Sequence, residues 1–340
     1  MRDWIRIISY LPVFLLCGEG ALSQNPDSGR VSRILHELQN RQNQVLSIEY
    51  ELTIHGETLP LFDNEEKARQ SAEQSMRGNL DKDSEEYKKI VENNTRVLMQ
   101  GYKPPTAIRH TYRIVGVDNT VSYNSLQENG MEQVLARFTH FEADYHPNNK
   151  QLTFNPRTHY LRSESPLFYS EVIVDGSSSL QVSIQKETDD EITIKAVGLE
   201  NSRTPYKNRT YLLTLDKNGF IPRSQVESYA SREEPRMDAK REIEYLDYKT
   251  DSSSYRYPAR IVETHWKIEP PNTELKPWLK TIREIDAIHV NGLSLDQLNF
   301  DIPANTSVCN RFIKERDKMF SSTEKKIPVF DLARQLKIIP

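Results

Sequence analysis

At Ser47 the apolar residues change their spacing, and the new spacing governs most of the chain that follows. Over "VSRILHELQNRQNQV", Val31, Ile34, Leu35, Leu38 and Val45 recur at helical intervals, with Asp27 or Ser28 placed to cap the first turn. In "SIEYELTIHGE", Ile48, Tyr50, Leu52 and Ile54 instead alternate with Glu49, Glu51 and Thr53. A period of two sends alternate side chains to opposite sides of an extended backbone, so this segment is a strand with one apolar and one wet face, as in antiparallel sheets. The same period returns from Thr106: Ile108, Tyr112 and Ile114, then Leu180, Val182 and Ile184, then Ile192 and Ile194. Tyr211, Leu213 and Leu215 make another such row before a turn at "DKNG", and the chain runs back through Arg223 to Tyr229. "REIEYLDYK", "ARIVETHWKIE" and "IREIDAIHV" complete the series.

So many half-apolar strands need closure or a cover. The expected fold is therefore α+β: a strongly curved antiparallel sheet, a half-open β-barrel of roughly ten strands, covered by helices that include the N-terminal one. Asn64 to Asn94 is rich in Glu, Lys, Gln and Arg and reads as exposed helix inserted between strands. The expected organisation is a leader over 1–23, one domain over 24–310 with the charged insertion near 62–95, and a C-terminal appendage over 311–340.

Arg2 and Arg6, the apolar run Ile7 to Cys17, and small Ala21 and Ser23 form the three-part pattern of an export signal, with cleavage expected between Ser23 and Gln24. The run is shorter than the roughly 20 apolar residues of a membrane span, so no stable transmembrane anchor is expected after cleavage. Formal net charge is -4, and residues 1–23 carry two charges of each sign, so cleavage leaves it unchanged. Nothing in that balance calls for a nucleic-acid partner. Cleavage also leaves Cys309 alone, so no intrachain disulfide can form, and a bacterial periplasmic or secreted location is expected. In such a host the N-x-S/T sequences at Asn93, Asn208 and Asn305 are chance matches.

"HFEADYH" places His140, Glu142, Asp144 and His146 on one side of a strand. Same-side neighbours on a strand are about 7 Å apart, too far for all four to reach one metal at about 2 Å. Phe141, Ala143 and Tyr145 supply a core-facing row, and the charged row reads as a wet face. No phosphate loop, nucleophile elbow, H-E-x-x-H or C-x-x-C occurs. Hence no catalytic, metal or cofactor residue is assigned, and no cofactor is expected. Cys309 reads as an inert thiol at a strand end. His265 and Trp266 alternate to opposite sides of their strand, and "SREEPRMDAKREIE" reads as a solvated hairpin.

"FDIPANTSVCN", Phe300 to Asn310, reads as a closing strand, with Pro303 at its end and small polar residues in the turn. The leading helix, the strand after it, the long antiparallel series and the pattern Phe300, Ile302, Pro303, Thr306, Val308 resemble the LolA-like superfamily of periplasmic lipoprotein and lipid carriers, and most of all its uncharacterised exported bacterial members. The resemblance covers Val31 to Ile54 and about Thr106 to Val308, and no carrier residue can be matched position by position. It implies a non-enzymatic exported binding protein whose concave apolar face takes a lipid or a lipoprotein acyl group. Strand aromatics and their neighbours are the possible apolar lining: Tyr50, Leu52, Tyr112, Tyr211, Leu213, Tyr229 and Trp266. Two other readings stay open, a module that binds an envelope protein partner in sensing or structure, and a periplasmic hydrolase. Acidic or His side chains gathered on the inner face of the sheet would favour the hydrolase.

Overall fold

The computed structural model describes residues 28–76, 82–103, 107–116, 119–126, 131–156, 173, 179–199, 209–229, 240–268, 274–314 and 319–340. The expected signal and cleavage point lie outside them. Helix α1 is Ser28–Asn43, and strand β1, Ser47–Thr58, begins where the spacing changes. The charged stretch holds α2, Glu65–Ser75, and α3, Glu85–Gln100, started by Asn64 and Ser84, whose side chains accept from Lys67 N–H and Tyr87 N–H. Strands β2 to β6 are Ile108–Val115, Asn119–Leu126, Met131–Arg137, Phe141–His146 and Gln151–Pro156. Strands β7 to β10 are Leu180–Glu187, Glu191–Gly198, Arg209–Asp216 and Ile221–Tyr229. Strands β11 to β13 are Lys240–Thr250, Arg256–Lys267 and Lys276–Val290. The short strands β14 to β17 are Asp301–Ile302, Ser307–Asn310, Phe320–Ser322 and Ile327–Pro328, and helix α4 is Val329–Gln335.

Among the described residues, fifteen strands form one sheet in the order β16-β15-β6-β5-β4-β3-β2-β1-β13-β12-β11-β10-β9-β8-β7. Directly paired residues share a face, so the registers trace each face from strand to strand. Tyr50 pairs with Ile288 and Tyr112; Leu52 pairs with Ile285 and His110. Further along, Tyr245 pairs with Ile261, Ile243 with Gln225, and Gln225 with Leu213. This side, the Tyr50 face, carries two apolar clusters. One contains Tyr211, Leu213 and Leu215 and is covered by Ile34 and Leu38 of α1. The other contains Ile48, Tyr50, Leu52, Ile243, Tyr245, Ile261 and Ile285.

At β3 the buried side changes. Val121 pairs with Arg113, and Arg113 with Glu49, so Val121 lies on the opposite side, the Glu49 face. There Val121, Ala136, Phe141, Phe154 and Val308 form a third cluster, covered by Leu298, Val329, Leu332 and Ala333. In β2, Ile114 serves the first core while Val115 packs against the other.

This arrangement corrects the expected fold class. The structure has no strongly curved half-barrel of about ten strands: the sheet is open, β16 and β7 lie at opposite ends of the order, and β15 pairs parallel with β6, making the sheet mixed. The physical reason is the change of face. A sheet curls around one core, whereas this one buries opposite sides in its two halves, with a different helix over part of each. The stretch Phe300 to Asn310 also divides. Asp301–Ile302 pairs with Ile327–Pro328 in a separate two-stranded sheet, and only Ser307–Asn310 enters the main one. Between them, the Pro303 carbonyl accepts from Thr306 Oγ1 at 2.8 Å and Thr323 Oγ1 at 2.7 Å, which fixes the turn.

Candidate functional site

The Tyr50 face changes character along its strands. Its middle is apolar: Tyr50, Leu52, Ile243 and Ile261 are fully buried or nearly so, each gaining about 1.5–3 kcal/mol from leaving water. Among the described residues no helical side chain joins this cluster, unlike its two neighbours. Val45, Ile54, Tyr112, Tyr248, Tyr255 and Val290 form its half-buried fringe.

Towards the Trp266 end of β12 the same face becomes charged. Arg209 Nη1 lies 2.8 Å and Arg241 Nη2 3.0 Å from the Glu227 carboxylate. Glu263 is met by Arg283 Nη1 at 2.5 Å, His265 Nε2 at 2.8 Å and Arg241 Nη1 at 3.5 Å. Both carboxylate side chains are 3% exposed. Burial alone would raise the Glu263 carboxyl, but the hydrogen bond from His265 and the guanidiniums of Arg283 and Arg241 outweigh it and hold the pKa down at about 2. Gln225 sits between these charges and the apolar field, opposite Leu213 and Ile243, and is fully buried. Among the described residues its amide has no hydrogen-bond partner.

At the other end of the strands is a cleft of about 370 Å³ lined by Arg41, Asn40, Gln44, Ser253, Tyr255, Arg256 and Val290, among others. Tyr255 and Val290 also belong to the apolar fringe, so the cleft opens directly beside it. A second cleft, of about 560 Å³, lies across β13, β1, β2, β3 and β4 and is lined by Glu51, Thr53, Arg109, Tyr123 and Asp286. Thr53 Oγ1 donates to Asp286 there at 2.9 Å.

The residues expected to line a ligand face separate into three settings. Tyr50 and Leu52 lie in the central cluster, with Tyr112 stacked on Tyr50 at 5.0 Å. Tyr211 and Leu213 are core under α1. Trp266 pairs with Lys240, on the side opposite His265, where Nε1 donates to Glu242 at 2.9 Å and Lys240 Nζ lies 4.8 Å from the ring centre. Tyr229 is on β10 in register with Arg209, and its side chain is outside the described part. In "HFEADYH", Phe141, Ala143 and Tyr145 are buried while Glu142, Asp144 and His146 are half-exposed. Of the supposed solvated hairpin, residues 230–239 are outside the description, but Arg241 and Ile243 belong to the Tyr50 face.

Sequence reading missed the charged cluster because its members look like ordinary wet-face residues, and their convergence depends on register across five strands. It missed the basic cleft because Arg41 and Arg256 are far apart in the chain.

No family model matches the chain, and no curated protein matches it. Solved structures similar to it include a putative outer membrane lipoprotein-sorting protein domain from Vibrio parahaemolyticus, 11% identical over 79% of this chain and 97% of that one, with a TM-score of 0.42. A LolA superfamily protein from Nitrosomonas europaea is likewise 11% identical over 79% of this chain and 96% of that one, with a TM-score of 0.42. A DUF1329 family protein from Desulfovibrio piger is 10% identical over 78% and 95%, with a TM-score of 0.40. The chain is distantly similar to LolA-type structures.

Proposed function

We propose that the protein is an exported, non-enzymatic binding protein that takes an apolar ligand, a lipid or the acyl part of a lipoprotein, against the Tyr50 face. One observation carries this reading: the central apolar cluster lies between two helix-covered clusters, yet among the described residues it gains no helical side chain and reaches solvent through Ile54, Tyr112, Tyr248, Tyr255 and Val290. An acyl chain laid on that fringe gains about 0.8 kcal/mol per buried methylene, enough for retention without a reactive group.

Acidic and His side chains do gather on this face, the arrangement that would favour a hydrolase, but their electrostatics oppose that role. A general acid or base works best with a pKa near the working pH. Glu263 is held at about 2, and Glu227 is clamped between Arg209 and Arg241. The cluster reads as a closed ion-pair network at one end of a binding face.

The test is native mass spectrometry of protein recovered gently from its host envelope, followed by organic extraction and binding of a fluorescent fatty acid to the stripped protein. A recurring extractable mass and saturable displacement by fatty acid are expected. Repeated recovery of empty protein that binds no fatty acid overturns the reading and leaves a protein-binding role ahead.

A further inference from the structure

The cleft beside Val290 has a chemistry that acyl binding does not require. Arg41, in the last turn of α1, donates from Nη2 to the Arg256 carbonyl at 2.5 Å, and its guanidinium carbon lies 5.5 Å from the Tyr255 ring centre. Arg256, the exposed first residue of β12, places its guanidinium carbon 5.4 Å from the Tyr248 ring centre, where Arg223 approaches at 5.8 Å. Tyrosine faces thus hold these cations in place from two sides.

Their counter-charges are mostly committed elsewhere. Asp216 is paired with Arg223, and its carboxylate also feels the Arg256 charge from beyond 4 Å, so it is a nearby counter-charge to Arg256 without contacting it. Asp251 accepts from Ser253 N–H, Ser253 Oγ and Tyr255 N–H, which ties its carboxylate into its own turn. Glu37 is the one carboxylate among the lining residues and is exposed, and no ion pair within 4 Å joins it, or any described carboxylate, to Arg41 or Arg256. Two guanidiniums with Asn40, Gln44 and Ser254 around a shared space form a donor-rich concavity. Guanidinium forks suit tetrahedral oxyanions better than they suit point charges.

From this geometry we infer that the cleft is a binding site for a phosphate group, with Arg41 and Arg256 as its principal donors. A volume of about 370 Å³ is at the small end for ligand pockets. It exceeds what a bare phosphate fills, so the group arrives on a larger molecule, a phosphomonoester or a phospholipid head. The site adjoins the proposed acyl face, sharing Tyr255 and Val290 with its fringe, but its donors Arg41 and Arg256 are not members of the central apolar cluster.

The test titrates the full chain calorimetrically with inorganic phosphate and with glycerol phosphate, and measures co-flotation with phosphatidylglycerol and phosphatidylcholine vesicles. Arg256→Gln is the main variant, because the residue is exposed and its change leaves the core intact. Arg41→Gln is the second, with unfolding midpoints measured for both. Expected is binding of the soluble phosphates or of phosphatidylglycerol vesicles, weakened at least tenfold by R256Q with an unchanged unfolding midpoint. Binding of the soluble phosphates identifies a free phosphoester as the source, and binding of phosphatidylglycerol vesicles alone identifies a lipid head. Absence of binding to every probe, equal binding to both vesicle types with no soluble-phosphate binding, or binding unchanged by R256Q overturns the site.

Discussion

Glu263 on β12 and Arg283 on β13 are diagonal neighbours on the Tyr50 face, and their side chains meet at 2.5 Å. The pair is linked through Arg241 to Glu227, so its loss would leave buried charge without compensation. Glu263→Gln is expected to destabilise the protein by about 3 kcal/mol or more, as when one partner of a buried pair is removed. The pH dependence has a definite sign. The folded pKa, about 2, lies below the ordinary 4.5, so the stabilisation is complete above about pH 4.5 and is lost as pH falls towards 2. It amounts to about 3 kcal/mol. Urea unfolding of wild type and E263Q between pH 2.5 and 7 checks this, and the variant should lose less stability on acidification than wild type, the remaining slope coming from other carboxyls held low, such as Asp216.

Gln225 gives the opposite expectation. Its amide is fully buried between Leu213 and Ile243 with no hydrogen-bond partner among the described residues, so the folded chain bears its desolvation cost. Gln225→Met keeps the length and removes the polar atoms, and should raise stability by about 1–2 kcal/mol. A lowered urea midpoint would show that the amide has a partner in solution, an internal water or a bound molecule.

Gly101 ends α3 with φ +73°, and a Cβ there would lie 2.3 Å from the Thr58 carbonyl oxygen. The contact is tight because Thr58 and Tyr102 exchange two backbone hydrogen bonds, at 2.7 and 2.9 Å, that pin the helical pair to the end of β1. Gly101→Ala is expected to cost about 2 kcal/mol or more, from the clash and the left-handed backbone together. Hydrogen exchange should locate the loosening in residues 59–103, with the sheet strands unaffected.

The sequence made individual strands legible and hid their assembly. The change of period at Ser47, the rows of β1 and β9, and the buried Phe141, Ala143 and Tyr145 could all be read locally, because each follows from alternation alone. The side on which neighbouring strands bury those rows is a matter of register, which alternation does not encode. One local clue existed: Ile114 and Val115 are adjacent and both apolar, a break in alternation that marks the strand serving two cores. Trp266 illustrates the converse. Its size and apolar character suggested an inner position, but the residue before it, His265, takes the inner side, and the ring lies against Lys240 and Glu242 instead. The basic cleft had no local signal at all, since the backbone of Arg256 meets Arg41 across 215 positions.

Leu213 and Trp266, both expected to line a ligand face, should therefore respond differently to truncation. Leu213 is fully buried beneath α1, and Leu213→Ala should cost about 2–5 kcal/mol through lost burial and the cavity left behind. Trp266→Ala removes a ring that is only half-buried, with its contacts to Lys240 and Glu242, and should cost about 1–2 kcal/mol, less than Leu213→Ala. Thermal unfolding of the two variants side by side measures the contrast.

The last expectation concerns the far end of the chain. Val329 is fully buried, as are Ala333 beside it on α4 and Val308 on β15, and these side chains share one cluster with Phe141 and Phe154. The helix is held in place by local bonds as well: Val329 N–H donates to the Phe300 carbonyl at 2.9 Å, and Phe330 N–H to Asn299 Oδ1 at 3.1 Å. A carboxylate at position 329 would enter a cluster whose other buried members are hydrocarbon and aromatic, where an unpaired charge is costly enough to displace the helix. Val329→Asp should therefore expose the Glu49 face over β3 to β6, bind a hydrophobic dye and lower the unfolding midpoint sharply. Val329→Ile keeps the apolar contact but adds a methylene to a filled core, and should cost about 1–3 kcal/mol without detaching the helix. A soluble V329D protein with wild-type unfolding would mean that α4 contributes nothing to this core.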